Sequence, residues 1–427
     1  MTPPDTIFAL SSGAPPAAIG VIRVSGPQAA AALGALAGTL PVPRRARLAT
    51  LHDAGGAALD SALVLWFPGP NTATGEDLAE LHCHGGRAVI AAVESALAAL
   101  RGVRRAEPGE FTRRAFANGR LDLAEAEGLA DLLSAETELQ RAAALGAMQG
   151  ALSRQVEAWR EQVLVLSAQL EAVLDFSDEE DAAALPESFT WNIAALAGEL
   201  GEWLARPRSE RLGDGFRVVL AGPPNAGKST LFNALVESEA AITSPIAGTT
   251  RDVIERSVAI AGVPFTFVDT AGLRDEGGDA IEAIGIDRAL DQMARADVVL
   301  WLGPEGEGPQ GAWEIAAQAD RAGFAGKTTA RHTLSAATGE GVAALKSALA
   351  DAARGALPKP GEAALNARQH ARLAEAAEAL AAAQALRDPL LLAEELRRVR
   401  LAFDRLIGRA TTEDMLDALF GRFCIGK

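Results

Sequence analysis

The segment Gly222-Pro223-Pro224-Asn225-Ala226-Gly227-Lys228-Ser229 constrains this chain more than any other. Its spacing is G-x-x-x-x-G-K-[ST], and it lies between a predicted strand, Phe216–Ala221, and a predicted helix. The glycines let backbone N–H groups turn towards a phosphate, and the helix N-terminus adds partial positive charge. Lys228 is placed to reach the β- and γ-phosphates, and the Ser229 hydroxyl to ligate Mg²⁺. A strand running through such a loop into a helix begins a doubly wound α/β sheet.

Downstream segments continue the same chemistry. Ile246-Ala247-Gly248-Thr249-Thr250-Arg251-Asp252 reads as a switch segment, with Thr250 as a second Mg²⁺ ligand. The strand Phe265-Thr266-Phe267-Val268 ends in Asp269-Thr270-Ala271-Gly272. There Asp269 would hold the metal through water, and the Gly272 N–H would sense the γ-phosphate. Three such elements in order point to a nucleotide hydrolase. Leu273 follows Gly272, so the glutamine that often positions the attacking water is absent at that place, and another group must orient it.

A guanine reader usually carries N-K-x-D. The candidate here, Ala317-Gln318-Ala319-Asp320, keeps only the aspartate, and Ser335-Ala336-Ala337 is the loop that follows. Losing one neutral hydrogen bond costs about 0.5–1.5 kcal/mol. GTP is therefore retained, with weak binding expected and ATP as the competing nucleotide. The expected nucleotide contacts are Asn225, Ala226, Gly227, Lys228, Ser229, Thr230, Ser244, Pro245, Ile246, Ala247, Gly248, Thr249, Thr250, Asp269, Thr270, Ala271, Gly272, Asp320, Ser335, Ala336 and Ala337.

A chain of 427 residues with 49% hydrophobic content exceeds one ordinary core, so two or three domains are expected. Residues 1–118 mix short strands, such as Ala18–Val24 and Ala62–Phe67, with turns at Pro68–Asn71 and Pro108-Gly109, as in a small α+β domain. From Leu121 the pattern turns helical. Leu152, Val156, Trp159, Val163, Leu166, Leu170 and Val173 alternate steps of four and three, a seam that packs long helices side by side. The run Asp178-Glu179-Glu180-Asp181 reads as a solvated loop. Strands and helices then alternate to about Gly355, Pro358-Lys359-Pro360-Gly361 marks a linker, and Asn366–Leu419 is helical again. The expected fold is an α+β N-terminal domain (1–118) and an all-α domain (119–212 and 358–427) that receives an inserted α/β P-loop GTPase domain (213–357) with a doubly wound sheet.

The net charge of −16 argues against a dominant nucleic-acid surface, so RNA contact requires a local basic patch or a partner. Arg101, Arg104, Arg105, Arg113, Arg114, Arg397, Arg398 and Arg400 are candidates for phosphate contact; such arginines are more often solvated. The two cysteines, Cys83 and Cys424, form no disulfide framework and suit a reducing cytosol. No apolar run reaches the roughly 18 residues of a membrane helix, so a cytoplasmic protein without membrane contact is expected. His82-Cys83-His84 alternate faces of a strand and cannot converge on one ion; a turn beside a binding pocket is the preferred reading.

Motifs in all three parts resemble the MnmE (TrmE) tRNA modification GTPase family. They are Phe67-Pro68-Gly69-Pro70-Asn71 with Thr74-Gly75-Glu76-Asp77, His84-Gly85-Gly86, Pro108-Gly109-Glu110-Phe111-Thr112 running to Arg120-Leu121-Asp122-Leu123-Ala124, the nucleotide motifs, and Phe423-Cys424-Ile425-Gly426-Lys427. The resemblance implies a GTPase that works with the flavoprotein MnmG, in a heterotetramer, on carbon 5 of the wobble uridine of certain tRNAs. It adds a carboxymethylaminomethyl or aminomethyl group, with the bridging carbon from 5-formyl- or 5,10-methylene-tetrahydrofolate. It implies folate contacts at Arg23, Glu80, Arg120 and Lys427, with arginine at 120 where lysine is usual, and a homodimer through the N-terminal domain. It also implies K⁺ held by Asn225, Ser244, Ile246 and Thr249, where a cation replaces an arginine finger, and Glu282 as the residue that orients the water. Cys424 becomes a candidate catalytic residue against its other reading as a buried apolar side chain.

The competing function is a GTP-dependent switch in ribosome or ribonucleoprotein assembly. It would share the inserted domain but needs neither the N-terminal folate motifs nor the Cys-Ile-Gly-Lys tail.

Overall fold

The computed structural model describes residues 5–175, 185–237, 240–241, 254–270, 289–359, 363–410, 412–421 and 423–426. They fall into two compact units, one within Met1–Ala130 and Phe403–Lys427, the other within Asp131–Ala402.

The first unit holds strands β1 (Thr6–Leu10), β2 (Ile19–Ser25), β3 (Arg47–His52), β4 (Ala58–Phe67), β5 (Leu78–His84) and β6 (Val103–Arg105), in the order β3-β4-β5-β2-β1-β6. All pairs are antiparallel except β1 with β6. Alternation along β2 and β4 sends Ile22, Val24, Val64 and Trp66 to one face, where they bury against Leu33 and Leu36 of the helix Ala29–Ala37 and Val93 and Leu97 of the helix Arg87–Ala98. Ile7 and Ala9 face the other way, against Phe111 of the helix Glu110–Ala117.

The chain's final residues return to this unit. Phe420 and Phe423 pack with Ala126, and Pro108 bridges Ile425 in antiparallel fashion. Ser11 Oγ donates to the Gly426 carbonyl at 2.8 Å, across 415 positions of sequence. Both glycines that flank this seam are required. A Cβ on Gly109 (φ 70°) would lie 2.1 Å from the Phe420 carbonyl oxygen, and one on Gly426 (φ 95°) would lie 2.2 Å from that of Leu10.

In the second unit the predicted seam forms the helix Ala151–Asp175, which buries Leu152, Val156, Trp159, Val163, Leu166 and Leu170. The helices Glu187–Leu204 and Ala367–Ala385 pack together although the α/β segment lies between them in sequence, so that segment is an insertion. Its entry and exit are tied where Ser209 N donates to Leu365 O at 3.0 Å.

The inserted sheet contains β7 (Phe216–Ala221), β8 (Ala240–Ala241), β9 (Ile254–Ile260), β10 (Val263–Asp269), β11 (Val298–Trp301), β12 (Trp313–Ala316) and β13 (His332–Thr333). The order is β13-β12-β11-β7-β10-β9-β8, parallel from β13 to β10 and antiparallel beyond. Leu231 and Leu235 of the helix Lys228–Val236 and Leu345 and Leu349 of the helix Val342–Ala356 share its core. One feature lies outside the sequence expectation: residues 302–312 and 317–331, which join β11 to β12 and β12 to β13, contain no helix. Parallel neighbours are usually joined through one. These two loops line an open cavity of about 490 Å³ together with Ala226.

Candidate nucleotide site and N-terminal polar cluster

β7 delivers the chain into the phosphate loop at Gly222 (φ 144°), where a Cβ would lie 2.9 Å from Gly303 N. Asn225 (φ 61°) and Gly227 (φ 95°) are left-handed, and Gly227 is the N-cap of the helix Lys228–Val236. The Lys228 ammonium is buried and donates to the Gly222 and Pro223 carbonyls, each at 2.9 Å. Ser229 Oγ donates to Asp269 Oδ2 at 2.7 Å, and Asp269 is 1% exposed. Thr270 Oγ1 donates to Leu220 O at 2.8 Å. Pairing of β10 with β7, Asp269 opposite Leu220, is what carries these residues to the loop. Lys228, Ser229 and Asp269 therefore converge, a cation beside a hydroxyl and a carboxylate at a helix N-terminus.

Ser244–Thr250, Ala271, Gly272, Glu282 and Lys427 lie outside the described residues, as does the acidic run Asp178–Asp181.

On the other flank, the Asp320 carboxylate accepts from the Ser335 hydroxyl, which is fully buried. That hydrogen bond, then one from its own backbone N–H, holds Asp320 below the usual carboxylate range. Gln318 also has a part that sequence reasoning missed: its Nε2 donates to the Asn225 carbonyl at 3.0 Å. The departure from lysine at 318 marked the position, but not its partner.

In the first unit, Arg23 donates to Glu80 Oε1 from Nε (3.3 Å) and Nη2 (3.0 Å), and His82 Nε2 meets Glu80 Oε2 at 3.1 Å. β2 and β5 hold Arg23 opposite Glu80. The Arg23 guanidinium lies 6.0 Å from the centre of the Phe111 ring. Phe111 follows the Pro108-Gly109 turn that receives the tail, and Cys424 in that tail is exposed. Arg120 is exposed in this unit, with its stem against the Gly75 turn.

His82-Cys83-His84 form the end of β5, so the turn expected at these residues is not there; Gly85-Gly86 lead directly into the helix Arg87–Ala98. Their side chains diverge: His82 to Glu80, Cys83 into the core, and His84 Nδ1 to Asp60 at 2.7 Å. Burial, with Asp60 nearby, pushes the Cys83 thiol up to about 12. Most of the arginines considered for phosphate contact are already paired: Arg104 with Asp5 and Glu110, Arg105 with Glu94, Arg113 with Glu413 and Asp417, Arg114 with Asp5, Glu76 and Glu110, Arg397 with Glu394, and Arg398 with Glu395.

Comparison with known proteins gives a consistent result over the whole length. A family model described as "MnmE helical domain" matches residues 123–424, and one described as "GTP-binding protein TrmE N-terminus" matches residues 6–120. The chain is 66% identical over 423 residues to the tRNA modification GTPase MnmE of Erythrobacter litoralis, covering 99% of this chain and 100% of that protein. It is 66% identical over 435 residues to the MnmE of Novosphingobium aromaticivorans, with 99% and 100% covered. Against that of Rhizorhabdus wittichii it is 60% identical over 428 residues, with 99% and 97% covered.

Proposed function

The chain belongs to the MnmE family of tRNA modification GTPases, and from that premise we propose that it hydrolyses GTP to drive modification of tRNA. The observation that carries this reading is the convergence of Lys228, Ser229 and Asp269 at the head of one helix. Lys228 is held by two loop carbonyls, a position from which its charge would reach the β- and γ-phosphates of an entering triphosphate. Being largely buried, it acts in a medium of lower effective dielectric than water, where charge stabilisation is stronger.

Ser229 and Asp269 fit Mg²⁺: both offer hard oxygens, 2.7 Å apart, with Asp269 shielded from solvent. Thr250 completes that set in the proposal. Bound Mg²⁺ would supply charge neutralisation at the phosphates. Asn225, Ser244, Ile246 and Thr249 are proposed as the K⁺ ligands and Glu282 as the group that orients the water. The remaining nucleotide contacts are those expected from the motifs.

For the first unit we propose a tetrahydrofolate site built on Arg23, Glu80, Arg120 and Lys427. The partly buried Arg23–Glu80–His82 set beside the Phe111 ring suits a ligand with a flat ring and ionised groups. Bound folate would supply the one-carbon unit. Arg23 and Glu80 would orient the ring, and the tail would bring Cys424 to the same unit. The target is carbon 5 of the wobble uridine, in partnership with MnmG, by a cytoplasmic homodimer joined through residues 1–118. Residues 119–212 and 358–427 would form the helical domain, and 213–357 the GTPase domain.

The test is mass analysis of wobble uridines from a strain that lacks this protein, complemented with wild type or with Lys228→Ala. Loss of the C5 modification, restored by wild type alone, is expected. Full modification without the protein would favour an assembly switch instead.

A further inference from the structure

Among the described residues four non-glycines have a positive φ, and two of them meet at the nucleotide site: Asn225 (φ 61°) and Gln318 (φ 63°). Asparagine tolerates this region, but glutamine gains nothing from it, so the surroundings must hold Gln318 there. They do so from both sides. The Gln318 carbonyl accepts from Arg321 N at 3.1 Å, and Ala319 N donates to Leu334 O at 3.1 Å. The turn thus fixed sends the Gln318 side chain across the phosphate loop. There its Nε2 donates to the Asn225 carbonyl at 3.0 Å, bridging 93 positions of sequence. The chain passes so close that a Cβ on Gly227 would lie 3.1 Å from Nε2 and 3.4 Å from Cγ.

We propose that Gln318 is a positioning residue that braces the phosphate loop through the Asn225 carbonyl. It fixes the left-handed turn at Asn225, and with it the direction of the N–H groups of Ala226, Gly227 and Lys228 that follow. The inference rests on the reading of this loop as a GTP site. The amide is neutral and is spent on a protein carbonyl, so it acts on the loop and not on the base. Asp320, two residues on, is the group placed to discriminate among bases. Loss of the brace should therefore weaken all nucleotides by the same factor, whereas loss of Asp320 should change their ranking.

The experiment uses the full chain and fluorescent GTP, GDP and ITP analogues. Gln318→Met keeps length and packing over Gly227 but removes the donor, and Gln318→Lys returns a donor at similar reach. Gln318→Met should weaken GTP and GDP by about three- to tenfold, the worth of one hydrogen bond. The preference for GTP over ITP should stay at its wild-type value. Dissociation should be faster, KM should rise more than kcat falls, and Gln318→Lys should recover most of the affinity. Thermal melting of the nucleotide-free variants separates this from a general loss of fold, which Gln318→Lys would not repair. Wild-type affinity in Gln318→Met, a loss confined to guanine nucleotides, or a Gln318→Lys variant as weak as Gln318→Met would each overturn the brace. Failure of the wild-type chain to bind GTP would instead remove the GTP reading, and is seen before any variant is made.

Discussion

Gly426→Ala should release the C-terminal tail and stop tRNA modification while GTP turnover continues. Gly426 has φ 95°, and an added Cβ would lie 2.2 Å from Leu10 O and 2.9 Å from the Leu10 carbonyl carbon. Ordinary contact begins near 3.4 Å, so the two backbones must part. That separation breaks the Ser11 Oγ–Gly426 O hydrogen bond, worth about 0.5–1.5 kcal/mol. The left-handed backbone adds about 1–2 kcal/mol for a residue with a Cβ. Together these oppose docking of the tail by about 1.5–3.5 kcal/mol, roughly a 10- to 300-fold loss of the docked population. Cys424→Ser is the companion variant. Its side chain is exposed, so the swap should change stability by no more than about 0.5 kcal/mol. It should still impair modification if the thiolate is the reactive form. The assay is C5-modified uridine formed by the purified protein with its proposed partner MnmG, measured beside GTP turnover and carboxypeptidase sensitivity of the tail. A released tail with normal modification would refute the reasoning. Equal loss of both activities would show that the tail supports the GTPase unit instead.

Other outcomes follow from the same geometry. If K⁺ stimulates GTP turnover as proposed, Asn225→Ala should abolish most of that stimulation while nucleotide binding persists; equal stimulation by K⁺ in variant and wild type would remove Asn225 from the proposed cation site. Asp320→Asn should shift preference from GTP towards XTP, read by competition binding, and unchanged GTP affinity would mean that another residue reads the base. The native protein should yield one reactive thiol to a disulfide reagent at pH 8, Cys424, since burial holds Cys83 as a thiol with its pKa at about 12; two fast-reacting thiols would contradict that core. Burial raises the Glu110 pKa, but hydrogen bonds from Arg104, the Glu107 backbone and Arg114 outweigh it and hold the carboxyl below its usual range. Its stabilising contribution should therefore be present above the ordinary glutamate pKa of about 4.3 and disappear as pH falls through the lower folded value. Glu110→Gln should flatten that acid limb in urea titrations, and an unchanged slope would discount the network.

Much of the fold was legible because its signals are local. The seam from Leu152 to Leu170 is a helical period that any packed helix must bury, and β7 reproduces the predicted strand Phe216–Ala221. The insertion was legible too, since helical pattern, α/β alternation and helical pattern follow one another. The helix-free connections 302–312 and 317–331 were not: helices were expected between these strands, and nothing local says that parallel strands would pair across loops instead. The arginines read as exposed charge found carboxylate partners at distances no periodicity encodes, as Arg113 did with Glu413 and Asp417.

The sequence by itself determined the phosphate loop, because G-x-x-x-x-G-K-S works within one turn of backbone. The glycines permit the left-handed path, and adjacency alone places Lys228 and Ser229 at the helix start. The motifs also assigned Ser229 and Asp269 to one metal; only the tertiary structure decided that the two would be joined by a direct hydrogen bond across 40 positions, that Gln318 would hold Asn225, and that Gly426 would seat against Leu10. The physical reason is range. Backbone conformation follows from neighbours along the chain, whereas a hydrogen bond or a close contact between distant residues exists only once strand pairing and core packing have fixed both ends to within a few tenths of an ångström.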